Sequence, residues 1–273
     1  MSFKTIVVFL FLCSYSYGQS NFELVQLKKP RKATYATSQI EPSIAIDPNN
    51  TSLMAAGSVL NDYYYSKDGG KSWVSKSIKS PYGVWGDPVL MFDTKGRLYY
   101  FHLASYKKST HLDRIVCQTT DNVCENFTDG SFPEPNGIKV QDKQWTVVDP
   151  TTNVIYMTWT EFDDYGSEKP QDSSRIVFSK SLDQGTSWSS PIVISSYLGD
   201  CIDDDNTVEG AVPAVGKDGE LYVTWTGPKG LVMQKSTDEG ETWLENEKLI
   251  GPQFGGWTLE IPGIYRANGL PIL

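Results

Sequence analysis

The sequence predicts an all-β protein of repeated four-stranded units, on three observations. Aromatic residues make up 12% of the 273 residues, eight of them Trp and 15 Tyr, which suits pleated, half-buried strands. One short polar motif recurs along the chain. Between its copies lie short apolar runs with a period of two, and no long helical pattern follows the N-terminal segment.

The motif is Ser66-Lys67-Asp68-Gly69-Gly70-Lys71-Ser72-Trp73. It returns as Ser181-Leu182-Asp183-Gln184-Gly185-Thr186-Ser187-Trp188 and as Ser236-Thr237-Asp238-Glu239-Gly240-Glu241-Thr242-Trp243. A degraded copy at Thr119-Thr120-Asp121 has lost its Gly and Trp, and the four together keep a period of about 57 residues. The pattern S-x-D-x-G-x-[ST]-W describes a hairpin turn. Ser and Asp oxygens accept bonds from turn N–H groups, Gly takes a positive φ, and the Trp folds back beneath the turn. These residues are read as structural.

The chain opens with an export signal. Lys4 gives a positive start, Ile6 to Leu12 is an apolar run, and Ser16 and Gly18 supply the small residues of a cleavage site. Residues 1–18 are therefore set aside, and 19–273 form one domain with no further membrane span. The expected location is periplasmic, cell-surface or extracellular.

Each unit begins with a short apolar strand: Glu41–Asp47, Asp87–Asp93, Gln144–Asp149 and Ala211–Gly216. Stronger strands follow at Leu98–Ala104, Val154–Glu161 and Leu221–Thr226, two of which share the pattern Tyr-x-Thr-Trp-Thr. A third strand runs into the motif, as in Arg175–Ser181 and Leu231–Ser236, and a fourth leaves it, as in Trp188–Ile194. Four strands per unit are the blades of a β-propeller. About four complete blades fit, and Leu259–Tyr265 begins a fifth. The sequence then stops at Leu273 within a blade, so a C-terminally truncated propeller is expected, with a four-bladed ring and short tail as the alternative.

A net charge of −9 argues against nucleic acid or an anionic membrane as the main partner. With two His and no CxxC pair, zinc has no ligand set. Cys117 and Cys124 are spaced to close a loop across a hairpin in an oxidising compartment, and free thiols are the other reading.

Loops entering the innermost strands gather around the axis of a propeller. Here they carry Trp85 and Asp87, Lys143 and Trp145, Glu209, and Trp257 and Glu260. Indoles offer a sugar ring a flat apolar face and carboxylates bond its hydroxyls, so glycans or glycoconjugates are the expected partners. The competing reading makes these Trp fillers between blades. Asp200, Asp203, Asp204 and Asp205, with Glu209, form the densest acidic run; oxygen ligands suit Ca²⁺, and a solvated acidic loop is the alternative. No cofactor is otherwise required.

The repeated motif resembles the Asp box, or bacterial neuraminidase repeat, and the chain resembles exported sialidase-like proteins labelled exo-α-sialidase or glycosyl hydrolase. That resemblance implies a six-bladed propeller whose last two blades would lie beyond Leu273. It implies Asp62 as the acid/base, Asp87 as a pocket carboxylate, and Glu209 as the group that activates a tyrosine nucleophile. It also calls for arginine forks on the substrate carboxylate, yet Ile40 stands at the first fork position and no Arg lies near Thr224–Thr226. An exo-glycosidase acting on terminal sialic acid or a similar sugar is therefore expected. A non-catalytic glycan- or protein-binding propeller is the alternative, carried by the two unmatched arginines.

Overall fold

A computed structural model describes residues 24–28, 40–105, 111–123, 125–253, 259–264 and 267–272. The export signal, Cys124 and Trp257 lie outside them.

All regular structure among the described residues is antiparallel β-sheet, arranged as four blades. Blade 1 holds β1 (Ser43–Ile46), β2 (Met54–Ser58), β3 (Asp62–Ser66) and β4 (Val74–Ser77). Blade 2 holds β5 (Val89–Phe92), β6 (Leu98–Ala104) and β7 (Arg114–Thr120). Blade 3 holds β8 (Val140–Val148), β9 (Ile155–Phe162), β10 (Ser174–Ser181) and β11 (Ile192–Val193). Blade 4 holds β12 (Glu209–Val215), β13 (Leu221–Gly227), β14 (Gly230–Ser236) and β15 (Lys248–Gly251). Within each blade sequential strands are neighbours, and the innermost strands β1, β5, β8 and β12 follow one another around an axis.

The core is three apolar seams, one between each pair of adjacent blades. Ala45, Tyr63 and Ile78 of blade 1 meet Leu90, Leu98 and Tyr100 of blade 2. Tyr99, Phe101 and Leu103 point the other way, onto Ile155, Met157 and Trp159 of blade 3. Tyr156, Ile176 and Phe178 then meet Leu221, Val223 and Trp225 of blade 4. Strand pleating sends alternate side chains to opposite faces, so a sheet with a blade on each side is buried on both. β6 and β9 are accordingly buried at every position.

The repeated turns fasten these seams. In each intact copy the Ser hydroxyl donates to the Asp carboxylate at 2.7–2.9 Å and accepts the Gly N–H at 2.9 Å. The Asp in turn accepts the N–H and hydroxyl of the residue before the Trp. Trp188 packs edge-on against Phe101, and Trp243 against Phe178, so each indole reaches back to the preceding blade. Trp73 and Trp243 donate Nε1 to the carbonyls of Gly70 and Gly240. In blade 3 Ser131 intervenes, accepting from Trp188 Nε1 and donating to the Gly185 carbonyl. Glycine is needed twice over at Gly240: its φ is +82°, and a Cβ there would lie 2.4 Å from Phe178 Cζ.

Blade 2 shows what the degraded turn costs. Asp121 pairs with Arg97 at 2.7 Å instead of closing a turn, and a single bridge between Cys117 and Ser131 stands where a fourth strand would lie. Cys117 is a free, buried thiol whose side chain faces Gly185 of blade 3, which agrees with the free-thiol reading; Cys124, the other half of the expected pair, lies outside the described residues. Burial raises its pKa. Two further expectations are revised. Only Ile192–Val193 of the Trp188–Ile194 run forms a strand, and residues 259–264 contain a turn rather than a described strand.

Candidate functional site

The innermost strands share a bulge that the sequence does not advertise. In blade 3 the register with β9 slips between Asp142 and Trp145; in blade 4 the register with β13 slips between Glu209 and Val212. The same two-residue step separates Ile40, whose carbonyl accepts Val59 N–H, from Ser43, and Gly86, whose carbonyl accepts Leu103 N–H, from Val89. The first bulged residue is left-handed in every blade: Glu41 at φ +51°, Asp87 at +47°, Lys143 at +49° and Gly210 at +74°. A left-handed bulge bends the strand and re-aims its side chain. Three of these four equivalent residues are charged, which is uncommon at positive φ and marks a strained set at one end of the axis.

Their side chains converge. Lys143 Nζ donates to Glu41 Oε1 at 2.8 Å and to Asp87 Oδ2 at 2.9 Å, joining blades 1, 2 and 3. Gln144 Nε2 donates to the Asp87 carbonyl, and Asp142 Oδ1 accepts the Lys143 N–H at 2.8 Å. Burial, then the charge of Asp142, lifts the Asp87 carboxyl to about 8, with Lys143 opposing and Glu41 adding to the rise. Burial lowers the Lys143 pKa, but Asp87, Glu41 and Asp142 outweigh it and hold the ammonium above its ordinary value. Behind this bridge Glu209 is buried, only 1% exposed. Burial, then Asp142 and Asp203, holds it well above the usual carboxylate range.

Glu41, Asp87, Lys143 and Trp145 line a cleft of about 240 Å³ at the axis, whose far wall is Asn268, Leu270, Pro271 and Ile272. Leu270 sits on Gly210, the one bulge position without a side chain; a Cβ there would lie 2.8 Å from Leu270 Cδ2. The Trp145 indole, on the bulge itself, is 37% exposed. A larger cavity of about 650 Å³ lies elsewhere, between Lys76 of β4 and the loop of Phe127 and Asp129.

Of the residues expected from sequence, Asp87, Lys143 and Trp145 come together in the cleft, with Glu209 buried behind them. Glu41 and Asp142 were not anticipated. Asp62 is placed elsewhere: it is 1% exposed at the start of β3, where its charge acts, after burial, to raise the Tyr100 hydroxyl. A sealed carboxyl against a tyrosine does not line the cleft. Trp85 packs, partly buried, on the seam between blades 2 and 3. Glu260 is exposed away from the lining residues, and Trp257 lies outside the described ones.

The acidic run does not form a ligand set. Asp200 accepts the Ile202 N–H and the Thr207 hydroxyl, Asp204 accepts the Asn206 N–H, and Asp203 accepts the Tyr165 hydroxyl at 2.9 Å. Among the described residues no three acidic, His or Cys side chains are arranged to hold a metal. Nor, among the described residues, does an arginine line the cleft: Arg97 pairs with Asp121, Arg114 with Asp113, and Arg175 with Glu161 and Asp163. Arg31 and Arg266 lie outside the described residues.

No family model and no curated protein matches the chain. Solved structures do. A protein of unknown function from Dyadobacter fermentans aligns with a TM-score of 0.58 at 12% identity, over 78% of this chain and 69% of its own. An ulvan lyase of a polysaccharide lyase family aligns with a TM-score of 0.51 at 12% identity, over 82% of this chain and 59% of its own. A Hadza microbial sialidase aligns with a TM-score of 0.43 at 16% identity, over 72% of this chain and 45% of its own. The first two likenesses agree with the propeller architecture. The chain spans little more than half the length of the ulvan lyase and less than half that of the sialidase.

Proposed function

We propose that this chain is a glycan-directed propeller whose axial cleft seats a sugar ring on Trp145. The observation that carries the reading is the pairing of an exposed indole with the Glu41–Lys143–Asp87 bridge in one cleft. An indole face covers the C–H face of a pyranose while carboxyl and ammonium groups exchange bonds with its hydroxyls. The likeness to a polysaccharide lyase supports the carbohydrate class and goes no finer. The repeated turns resemble the Asp box, and the N-terminal segment reads as an export signal, so the protein would meet glycans outside the cytoplasm.

Hydrolysis of a glycosidic bond is a second reading, favoured by one observation. Asp87, lifted to about 8, holds its proton at neutral pH beside the Glu41 carboxyl group. A proton donor beside a second carboxyl group is the pairing that glycoside cleavage uses. Sialic acid is the less favoured substrate, since no described arginine reaches the cleft. A glycan array followed by aryl-glycoside and sialoside turnover tests both readings. Binding with no turnover leaves the binding propeller; turnover lost in Asp87→Asn establishes the hydrolase; absence of both removes the glycan reading.

A further inference from the structure

Resting on the sugar-binding reading of the cleft, we infer that the site recognises 6-deoxyhexoses, sugars whose C5 carries a methyl group in place of a hydroxymethyl group. The cleft has two chemically distinct sides. Glu41, Asp87 and Lys143 stand at the bulge positions of three consecutive blades and form the polar side, joined through Lys143 Nζ. The next bulge position round the axis is Gly210, and the side chain of Leu270 covers it. A Cβ on Gly210 would lie 2.8 Å from Leu270 Cδ2, 3.0 Å from its Cβ and 3.1 Å from its Cγ, so the leucine lies along the glycine. Pro271 and Ile272 continue this apolar side.

The apolar side is tied into the fold. Gln253 Nε2 donates to the Gly269 carbonyl, Leu259 N–H donates to the Ala267 carbonyl at 3.0 Å, and Leu270 N–H donates to Asn268 Oδ1 at 3.3 Å. Leu270 and Pro271 are only half-buried, which leaves part of their surface for a ligand. A pyranose stacked on the Trp145 indole points its substituents outward, towards the walls. Its ring hydroxyls meet the Glu41–Lys143–Asp87 side, where new bonds replace those given up to water. The exocyclic carbon on C5 is left to face Leu270 and Pro271. A methyl group there gains apolar burial, whereas a hydroxymethyl group carries its hydroxyl out of water onto hydrocarbon. An acetamido methyl is a poorer match, because it brings an N–H and a carbonyl to the same surface.

The test is NMR titration of the whole chain with three matched pairs of methyl glycosides: α-L-fucoside against α-L-galactoside, α-L-rhamnoside against α-L-mannoside, and β-D-quinovoside against β-D-glucoside. The members of a pair differ only at C6. In whichever pair binds, the 6-deoxy member should bind at least about fourfold more tightly, the weight of one buried methyl group. Leu270→Asn, close in size but polar, should abolish that preference, and Leu270→Met, which keeps the apolar contact, should retain it. The ratio is insensitive to partial unfolding, which scales both affinities together. A hydroxylated member binding as tightly as its partner, or a preference unmoved in Leu270→Asn, overturns the methyl recognition while leaving the sugar site standing. No binding by any of the probes overturns the sugar site itself, and the methyl recognition falls with it.

Discussion

Lys143 and Asp87 occupy the same bulge position in adjacent blades, and the ammonium of one lies 2.9 Å from the carboxyl group of the other. Both backbones are left-handed, at φ +49° and +47°. A repeated backbone distortion has thus become a place where charged side chains from three blades meet. The strain of a non-glycine residue at positive φ is of order 1 kcal/mol or more per residue.

Asp87 should make stability fall as pH rises. Its ordinary pKa of 3.8 is lifted to about 8 in the folded chain, so the native state holds a proton that the unfolded chain has released across that window. Stability from this group is greatest below about pH 4 and declines until about pH 8. Urea unfolding from pH 5 to pH 9 should show the decline in the wild type and a shallower one in Asp87→Asn.

The repeated turns carry the opposite sign at acid pH. Hydrogen bonds from Ser72 hold Asp68 down to about 2, and those from Thr242 hold Asp238 there too. Folded values below the unfolded ones mean stability present above about pH 4 and lost toward pH 2. Replacing Asp68 and Asp238 together by Asn should flatten the acid limb of the pH–stability curve, measured by thermal melting between pH 2 and pH 5.

Gly210 should resist any side chain. At φ +74°, with Leu270 Cδ2 2.8 Å from the position of a Cβ, Gly210→Ala should lose about 1–2 kcal/mol. Adding Leu270→Ala should restore only the steric part, leaving the backbone strain, which a double-mutant cycle separates.

Cys117 should be silent to thiol reagents until the chain unfolds. It is 1% exposed, and burial keeps its thiol protonated. Peptide mapping after native alkylation should find Cys117 unmodified and not linked to Cys124; a Cys117–Cys124 cystine would contradict the seam between blades 2 and 3 as described.

The architecture was legible because its signals are local. The Ser, Asp, Gly and Trp of each turn lie within eight residues and bond almost wholly to one another, so the pattern repeats wherever the geometry does. Part of the site was legible for a related reason: Asp87, Lys143 and Trp145 lie at or beside the start of apolar runs that alternation locates. Glu41 and Asp142 were missed because their role depends on a bulge, and a bulge shifts side chains by one position without altering composition. The available signal was the Glu41-Pro42 and Asp87-Pro88 match, since proline in a strand points to a bulge or edge. Asp62 and Trp85 were singled out on other grounds, the one by resemblance and the other by its loop position, and neither signal carries the tertiary context that sets Asp62 near Tyr100 and Trp85 on an apolar seam.

The claim that the axial cleft binds sugar on Trp145 is tested most directly by comparing two tryptophan variants. Affinity for the best glycan from an array would be titrated against wild type, Trp145→Ala and Trp85→Ala. Trp145→Ala should lose about tenfold in affinity with a smaller loss of stability than Trp85→Ala, since Trp145 is 37% exposed and Trp85 packs on a seam. Trp85→Ala, which empties part of a seam, should lose about 3 kcal/mol of stability while the folded fraction binds normally. Glycan affinity unchanged in Trp145→Ala would contradict the account.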